Sequence, residues 1–411
     1  MGVEEGIVER VVAGGAGLIR REAGVCFVRG VLPGERIRFR LLGRTRGALE
    51  GELLELLEQS PERVTPPCHY YHRCGGCEFQ EIGYREQLRI KKAIVQEQLR
   101  RIGGLRGHPV RDIRAGEPYK YRSRVRLHRS EEGRFGFRER AGRNVVAVDR
   151  CIVSREEINR EITSIQRFPP SADAVSLALS DHGVLRSDGA CEGRVSLLGI
   201  EVHFSGAGFF QGNLRLFEEL LRELVEELET FLVHGGDSRT EGEGSATSGG
   251  AEHRTALREY ELYDLYAGTG VIATVVAGAL ERRRGLRPGV VHAVEPDRRA
   301  SGFLEKNLSE YSSKSYPSPL EEALSTLPAP TERSIVVVDP PRAGLSSSVR
   351  SFLLRRRPGL LAYISCDPGT LARDLKALSD VYQLGDARPY DFFPQTSHVE
   401  TLITLRPKGR L

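Results

Sequence analysis

Cys366 and Glu400 are the residues of this 411-residue chain whose settings best suit covalent chemistry. Cys366 follows the apolar run Leu361–Ile364 and opens Cys366-Asp367-Pro368-Gly369-Thr370-Leu371, which reads as the start of a helix. A thiol between a strand end and a helix N-terminus should have a lowered pKa and act as a nucleophile. An isolated cysteine more often just fills space, but the strand-Cys-Asp-Pro-Gly-helix context favours the nucleophile. Glu400 lies in Phe392-Phe393-Pro394-Gln395-Thr396-Ser397-His398-Val399-Glu400-Thr401, a polar, ionisable stretch between apolar segments. Alone it reads as a solvated loop glutamate; in company with Cys366 it reads as a base. Such a pair suits carbon 5 of uracil, itself a poor nucleophile. Thiolate addition at carbon 6 would generate an enolate, and a carboxylate could later remove the carbon 5 proton and let the thiolate leave. Inside folded RNA the base must also leave its stack.

Three further motifs could hold the methyl donor. Asp264-Leu265-Tyr266-Ala267-Gly268-Thr269-Gly270 runs an apolar strand into a glycine turn that opens a helix, where Gly268 and Gly270 let a ligand approach the backbone. A structural tight turn is the plainer reading. The next strand, Val291-His292-Ala293-Val294-Glu295, ends in a carboxylate able to accept hydrogen bonds from ribose hydroxyls. The shortened glycine pattern favours S-adenosylmethionine over a dinucleotide, because there is no pyrophosphate to cradle. Asp339-Pro340-Pro341-Arg342 ends a Val-rich strand, and the prolines force a turn that leaves Asp339 at the ligand edge. Arg342 stands where methyltransferases acting on exocyclic amines carry an aromatic residue, which argues against an adenine there.

Cysteines make a third group. Cys68, Cys74 and Cys77 are closely spaced and Cys151 lies far downstream. A zinc ribbon would show two CxxC pairs; this chain has one, with His69 and His72 nearby. Three close thiolates and one remote one fit a 4Fe–4S cluster better, capped by Cys at every iron. A radical S-adenosylmethionine enzyme would use a different spacing and leave one iron open, so the cluster reads as structural or as part of RNA recognition.

These groups need elements to position them. Residues 1–58 hold short β-type runs (Ile7–Val12, Val25–Val31, Arg36–Leu42 and Ala48–Leu57) broken by glycine-rich turns at 14–17 and 32–34, which suggests a small OB-type barrel. A helix is expected from Tyr84 to Ile102, alternation over 119–150, and an amphipathic helix Leu214–Leu232 capped by Asn213. The Gly/Ser/Thr-rich stretch 234–256 reads as a flexible insertion. Beyond it, strands at 260–266, 290–294, 335–338 and 360–364 alternate with helices at 271–282 and 299–311, predicting a doubly wound parallel sheet with its ligand at the carboxyl ends of the strands. No run is long and apolar enough to span a membrane, and Met1–Arg10 lacks a signal-peptide layout, so a cytoplasmic protein is expected. The formal net charge is +4, yet Arg85–Arg160 carries 21 Lys/Arg against 10 Asp/Glu. A solvated basic face is the bland account; a polyanion partner is favoured.

Taken together, these residues resemble the RNA uracil-C5 methyltransferase family over nearly the whole chain. The resemblance implies a Rossmann-like class I methyltransferase domain (206–411, with the insertion 234–256), an N-terminal TRAM-like OB barrel (1–60) and an α+β central domain (61–205) with the iron–sulfur cluster and an RNA-binding face. It implies Cys366 as nucleophile and Glu400 as base, and cofactor contacts at Gln211 (in Phe210-Gln211-Gly212-Asn213), Tyr266, Gly268, Gly270, Glu295 and Asp339. Cys68, Cys74, Cys77 and Cys151 are the implied 4Fe–4S ligands. The expected product is 5-methyluridine in RNA, ribosomal RNA being favoured and transfer RNA the alternative, with no membrane partner and a monomeric enzyme. Two departures are visible: Val271 where the family often has Asn, and no recognisable strand between Asn307 and Ser334. An RNA-binding protein on a disabled scaffold, an iron–sulfur electron carrier and a cytosine-C5 DNA methyltransferase are the competing readings. The first conflicts with the presence of Cys366 and Glu400, the second with the cofactor-type strands and the basic block. The third normally sets its nucleophile after proline and needs no TRAM-like barrel.

Overall fold

The glycine-punctuated strands at the N-terminus close on themselves. In a computed structural model, which describes residues 2–45, 47–140, 142–189, 191–234 and 260–409, β1 (Val3–Val11), β2 (Gly17–Arg21), β3 (Gly24–Val28), β4 (Arg36–Thr45) and β5 (Ala48–Glu58) form a closed barrel in the order β1-β2-β3-β5-β4. Val8, Ile19, Cys26, Val28, Ile37 and Phe39 fill it. The sequence reading misses β2 because it takes Gly17 for part of a turn. Gly17 instead begins a strand, and its small size has a packing reason: a Cβ there would sit 2.4 Å from a Val31 methyl. The expected insertion at 234–256 lies outside the described residues except for His234.

After the barrel comes α1 (Tyr84–Arg101), as expected, and then an antiparallel sheet. Its strands β6 (Arg124–Arg129), β7 (Phe135–Arg138) and β8 (Val145–Ala147) correspond to the alternating stretch, but the sheet needs more. The segment 152–208, to which the motifs assign nothing, supplies α2 (Glu156–Arg167), β9 (Ala174–Ser180), β10 (Gly183–Arg186) and the hairpin β11 (Glu192–Leu197) and β12 (Ile200–Ser205). The sheet order is β10-β9-β6-β7-β8, and α2 buries Ile158, Ile162 and Ile165 against it at helical spacing.

The second half is the doubly wound sheet. Helix α3 (Leu214–His234) starts as expected, with Asn213 Oδ1 accepting from Leu216 N at 3.3 Å. Then follow β13 (Tyr260–Asp264), α4 (Val271–Arg284), β14 (Pro288–Val294), α5 (Arg298–Asn307), β15 (Ser313–Tyr316), α6 (Leu320–Ala323), β16 (Ser334–Val338), α7 (Ser347–Arg356), β17 (Leu360–Ser365), α8 (Pro368–Leu378), β18 (Tyr382–Leu384), β19 (Arg388–Tyr390) and β20 (Glu400–Pro407). The order is β15-β14-β13-β16-β17-β20-β18, with β19 also on β20; the first five are parallel and β20 runs antiparallel to β17. β15 corrects the expectation of no strand between 307 and 334. It is an edge strand whose one buried side chain is Tyr316, so it has no apolar run to betray it. α3 and α4 cover one face; α1, α7 and α8 cover the other. Among the described residues no helix is long and apolar enough to cross a membrane.

Candidate active site

Parallel strands β14, β13, β16 and β17 end on one edge, and the residues that follow them there are the sequence's chemical candidates. Glu295 follows β14, the turn Leu265–Gly270 follows β13, Asp339 follows β16 and Cys366 follows β17. Strand β20 runs the other way, so its first residue, Glu400, starts from the same edge. The β17–β20 register pairs Ser365 with Thr401, which brings Cys366 next to Glu400.

The glycine turn is tied to the end of β14. Gly268 and Gly270 have φ of 54° and 77°, conformations that favour glycine, and a Cβ on Gly270 would lie 3.3 Å from Leu304 Cα. Glu295 accepts from Gly268 N at 2.9 Å and from Asp297 N at 2.8 Å, so its carboxylate is held beside the turn. Asp264 is buried, with one oxygen accepting from Ala273 N at 3.3 Å and the other without a partner. Burial, then Asp339 and Glu295, push its carboxyl up to about 7. Asp339 keeps some surface exposed, but its carboxyl is enclosed and burial pushes it up to about 7 as well. Glu400 is buried, and that burial together with Asp339 holds its carboxyl well above the usual range, with Arg342 opposing. A row of crowded carboxyls without enough cations is electrostatically complementary to a positively charged ligand.

The expectation of a lowered thiol pKa at Cys366 is overturned. Burial, Glu400 and Asp339 push the thiol up to about 12, against Arg342. The helix N-terminus does not offset this, because Asp367 caps α8 itself, accepting from Gly369 N at 2.9 Å and Thr370 N at 2.8 Å. That carboxylate takes the free N–H groups and adds a further negative charge.

Gln211 reaches this edge from another direction. Ser123 donates through Oγ to the carbonyls of Gln211 (3.4 Å) and Gly212 (3.0 Å), and through its N–H to Gly212 at 2.8 Å. Asn213 Nδ2 donates to the Phe392 carbonyl at 3.2 Å, and a Cβ on Gly212 would meet the Phe393 ring at 3.4 Å. The Phe210–Asn213 segment thus packs on the loop that leads to Glu400. Tyr266, half-buried, lies beyond Leu265 in the glycine turn.

The four cysteines converge elsewhere. Cys68, Cys74, Cys77 and Cys151 line one cavity, with Gln80 and Arg122 among its other walls. Burial raises the thiols of Cys68 and Cys74 and pushes Cys77 up to about 12, and each of the three feels Cys151. Four cysteine thiols are the donor set that a 4Fe–4S cluster would require. Among the described residues no group of three or more His, Cys, Asp or Glu is set to hold a metal ion.

Residues 330–408, which include Asp339, Cys366 and Glu400, match the model of the tRNA (uracil-5-)-methyltransferase family. Similar full-length proteins include uncharacterized RNA methyltransferases of Streptomyces avermitilis (29% identical, covering 100% of each chain) and Halalkalibacterium halodurans (26%, covering 99% of this chain and 97% of the relative). The chain is thus similar over its whole length to RNA methyltransferases, and over its last part to the tRNA (uracil-5-)-methyltransferase family. Its fold is also that of the Pyrococcus abyssi tRNA (uracil-54, C5)-methyltransferase solved with S-adenosyl-L-homocysteine, with a TM-score of 0.68 at 21% identity over 98% of this chain and 100% of the other.

The structure also joins residues that the motifs leave apart. Arg342 Nη2 lies 3.2 Å from His398 Nε2, joining the turn after Asp339 to the loop before Glu400. Glu78, one residue beyond Cys77, accepts from Ser397 Oγ at 2.8 Å on that same loop. Contacts between residues 56 and 319 positions apart leave no local pattern. Arg122, Arg124 and Arg126, at alternate positions, pair with no carboxylate among the described residues; Arg122 and Arg124 donate instead to the carbonyls of Arg124 (3.1 Å) and Gly206 (3.3 Å). Burial and the two neighbouring guanidiniums push Arg124 down. Uncompensated, crowded cations of this kind fit a phosphate backbone.

Proposed function

We propose that this methyltransferase forms 5-methyluridine in ribosomal RNA, with Cys366 as covalent nucleophile and Glu400 as base. The observation that carries the reading is the β17–β20 register, which sets a thiol beside a buried carboxyl at the edge that also holds the glycine turn and Glu295. In the proposed reaction the Cys366 thiolate bonds to carbon 6 of a uracil drawn out of its stack, and the electron pair of the carbon 5–carbon 6 double bond shifts to give an enolate over carbon 5, carbon 4 and its oxygen. Carbon 5 takes the methyl group that S-adenosylmethionine supplies, leaving S-adenosylhomocysteine. Glu400 then removes the carbon 5 proton, the carbon 6–sulfur bond breaks and the thiolate leaves. Gln211, Tyr266, Gly268, Gly270, Glu295 and Asp339 are assigned to cofactor and base. A sulfonium cation near Asp339 would relieve the negative field that holds the Cys366 thiol protonated.

On this reading residues 1–60 are a TRAM-like barrel, 61–205 a central part whose arginine row meets RNA, and 206–411 the catalytic part. Transfer RNA is the second reading, favoured by the fold shared with the Pyrococcus abyssi enzyme, which acts on tRNA uracil-54. Labelled S-adenosylmethionine, incubated with the protein and with each RNA class separately, tests both. Label in 5-methyluridine of ribosomal RNA is expected; label confined to transfer RNA selects the alternative, and label in no uridine defeats both.

The crowded carboxyls give a pH signature. Asp264 and Asp339 titrate near 7 when folded, against an ordinary 3.8. Between those values the folded chain holds more protons than the unfolded one, so ligand-free stability falls as pH rises. A bound cation relieves this. The melting-temperature rise with S-adenosylmethionine should therefore be larger at about pH 8 than at about pH 5.5, and should exceed that given by uncharged-sulfur S-adenosylhomocysteine. A shift independent of pH and of the sulfonium would remove these carboxyls from the cofactor site.

We further propose that Cys68, Cys74, Cys77 and Cys151 hold a 4Fe–4S cluster, supported by their convergence on one cavity. The purified protein should then be brown, and Cys74→Ser should lose visible absorbance and iron. A colourless, zinc-loaded wild type would refute the assignment.

A further inference from the structure

Helix α1 buries polar groups on the face that a globular helix normally fills with apolar ones. Lys91 is 0% exposed and ion-pairs with Asp391, also 0% exposed, while donating to the Phe393 carbonyl at 3.0 Å. One turn earlier Gln87, likewise buried, donates to the carbonyls of Phe79 (3.0 Å) and Ile82 (2.9 Å). It also exchanges bonds with Gln395, giving to its side-chain oxygen and accepting from its backbone N–H, both at 3.0 Å. Both side chains therefore grip the 391–395 loop, which leads through His398 to Glu400.

That loop needs a grip. Gln395 has φ +69°, a left-handed conformation that a non-glycine residue holds only when its surroundings enforce it. Its carbonyl is also fixed by Glu78 N at 2.8 Å and Phe79 N at 3.0 Å. Farther along, α1 packs on α8, burying Val95 and Leu99 with Leu371 and Leu375. Helix α8 begins two residues after Cys366. One rigid helix thus touches both the loop before the base and the helix after the nucleophile. Stability alone does not call for a buried ion pair in this place, since an apolar pair of similar volume is often as stable or more so.

We propose that α1 sets the spacing of Glu400 from Cys366, and that Lys91, helped by Gln87, is a positioning residue for proton removal at carbon 5. This rests on the reading of Glu400 as base. The test compares Lys91→Met, the double variant Lys91→Met/Asp391→Leu, Gln87→Met and Glu400→Gln for the single-turnover rate at which methylated RNA is released from the protein, RNA affinity and melting temperature. The apolar double variant is expected to melt near the wild type and to keep its Kd for RNA. It should release methylated RNA about 100-fold more slowly, the loss that follows from misplacing a reacting group by about 1 Å. It should also accumulate the protein–RNA adduct seen with Glu400→Gln. Gln87→Met, which leaves no buried charge unpaired, should show the same split and decides the matter if the Lys91 variants do not fold. A rate that returns to wild type together with the melting temperature, or Gln87→Met at full rate when the Lys91 variants do not fold, overturns the inference: the contacts then only hold the fold. Glu400→Gln at full rate would remove the base reading and this inference with it. A slow Glu400→Gln beside full rates in the double variant and Gln87→Met would overturn the inference alone.

Discussion

Cys366→Ala is expected to transfer no methyl group to RNA while still binding it. Alanine removes the one atom proposed to bond to carbon 6, and without that bond carbon 5 has too little electron density to attack a methyl group. Loss of the covalent nucleophile lowers turnover by about a millionfold in a serine protease, and a loss of that order is expected here. RNA affinity should hold within about twofold, because the sequence-independent part of binding is assigned under the proposed function to cations on other elements, Arg122, Arg124 and Arg126 foremost. The fold should also persist. Cys366 is only half-buried, and Asp367 supplies the cap of α8 without it. Single-turnover assays with labelled S-adenosylmethionine and filter binding of RNA measure the two quantities separately. Turnover surviving in Cys366→Ala would end the covalent mechanism whatever the RNA affinity.

What the sequence discloses of this site follows from how local each signal is. Cys366, Glu295 and the glycine turn each sit where a buried strand runs out, and an apolar run followed by breakers is legible over a few residues. The parallel sheet is legible for the same reason: β16 and β17 are buried throughout, so their sequences are uninterrupted apolar runs. β15 and β2 escape, one because an edge strand needs a single buried residue, the other because a glycine demanded by packing looks like a turn. The thiol's raised pKa escapes because it depends on Glu400 and Asp339, which only the strand order brings to Cys366. Least legible is the role of α1. Lys91 belongs by sequence to a basic block that invites a surface reading, yet it is buried against Asp391, 300 positions away. Helical spacing puts Lys91 on the stripe of Ile90, Ile94 and Val95, but nothing local shows the distant carboxylate that lets a charge be buried there.

Glu400→Gln should stop the reaction after methyl transfer rather than before it. The thiolate can still add to carbon 6 and carbon 5 can still take the methyl group, because neither step needs a proton removed by residue 400. What fails is removal of the carbon 5 proton, without which the carbon 6–sulfur bond cannot break. Loss of a positioned base slows turnover by about 100- to 10,000-fold, and the methylated intermediate remains bonded to Cys366. A denaturing gel should therefore show protein carrying RNA, and the double variant Cys366→Ala/Glu400→Gln should show none. The substitution also removes a negative charge that helps hold the thiol up, so addition itself should be no slower than in the wild type. The two consequences act together: a lower thiol pKa speeds entry into the adduct while the missing base blocks exit. If Glu400→Gln is inactive and no adduct forms, the carboxylate acts before methyl transfer. Proton removal at carbon 5 would then fall to another group, and Asp339, the enclosed carboxyl whose charge reaches both Cys366 and Glu400, would be the next to replace.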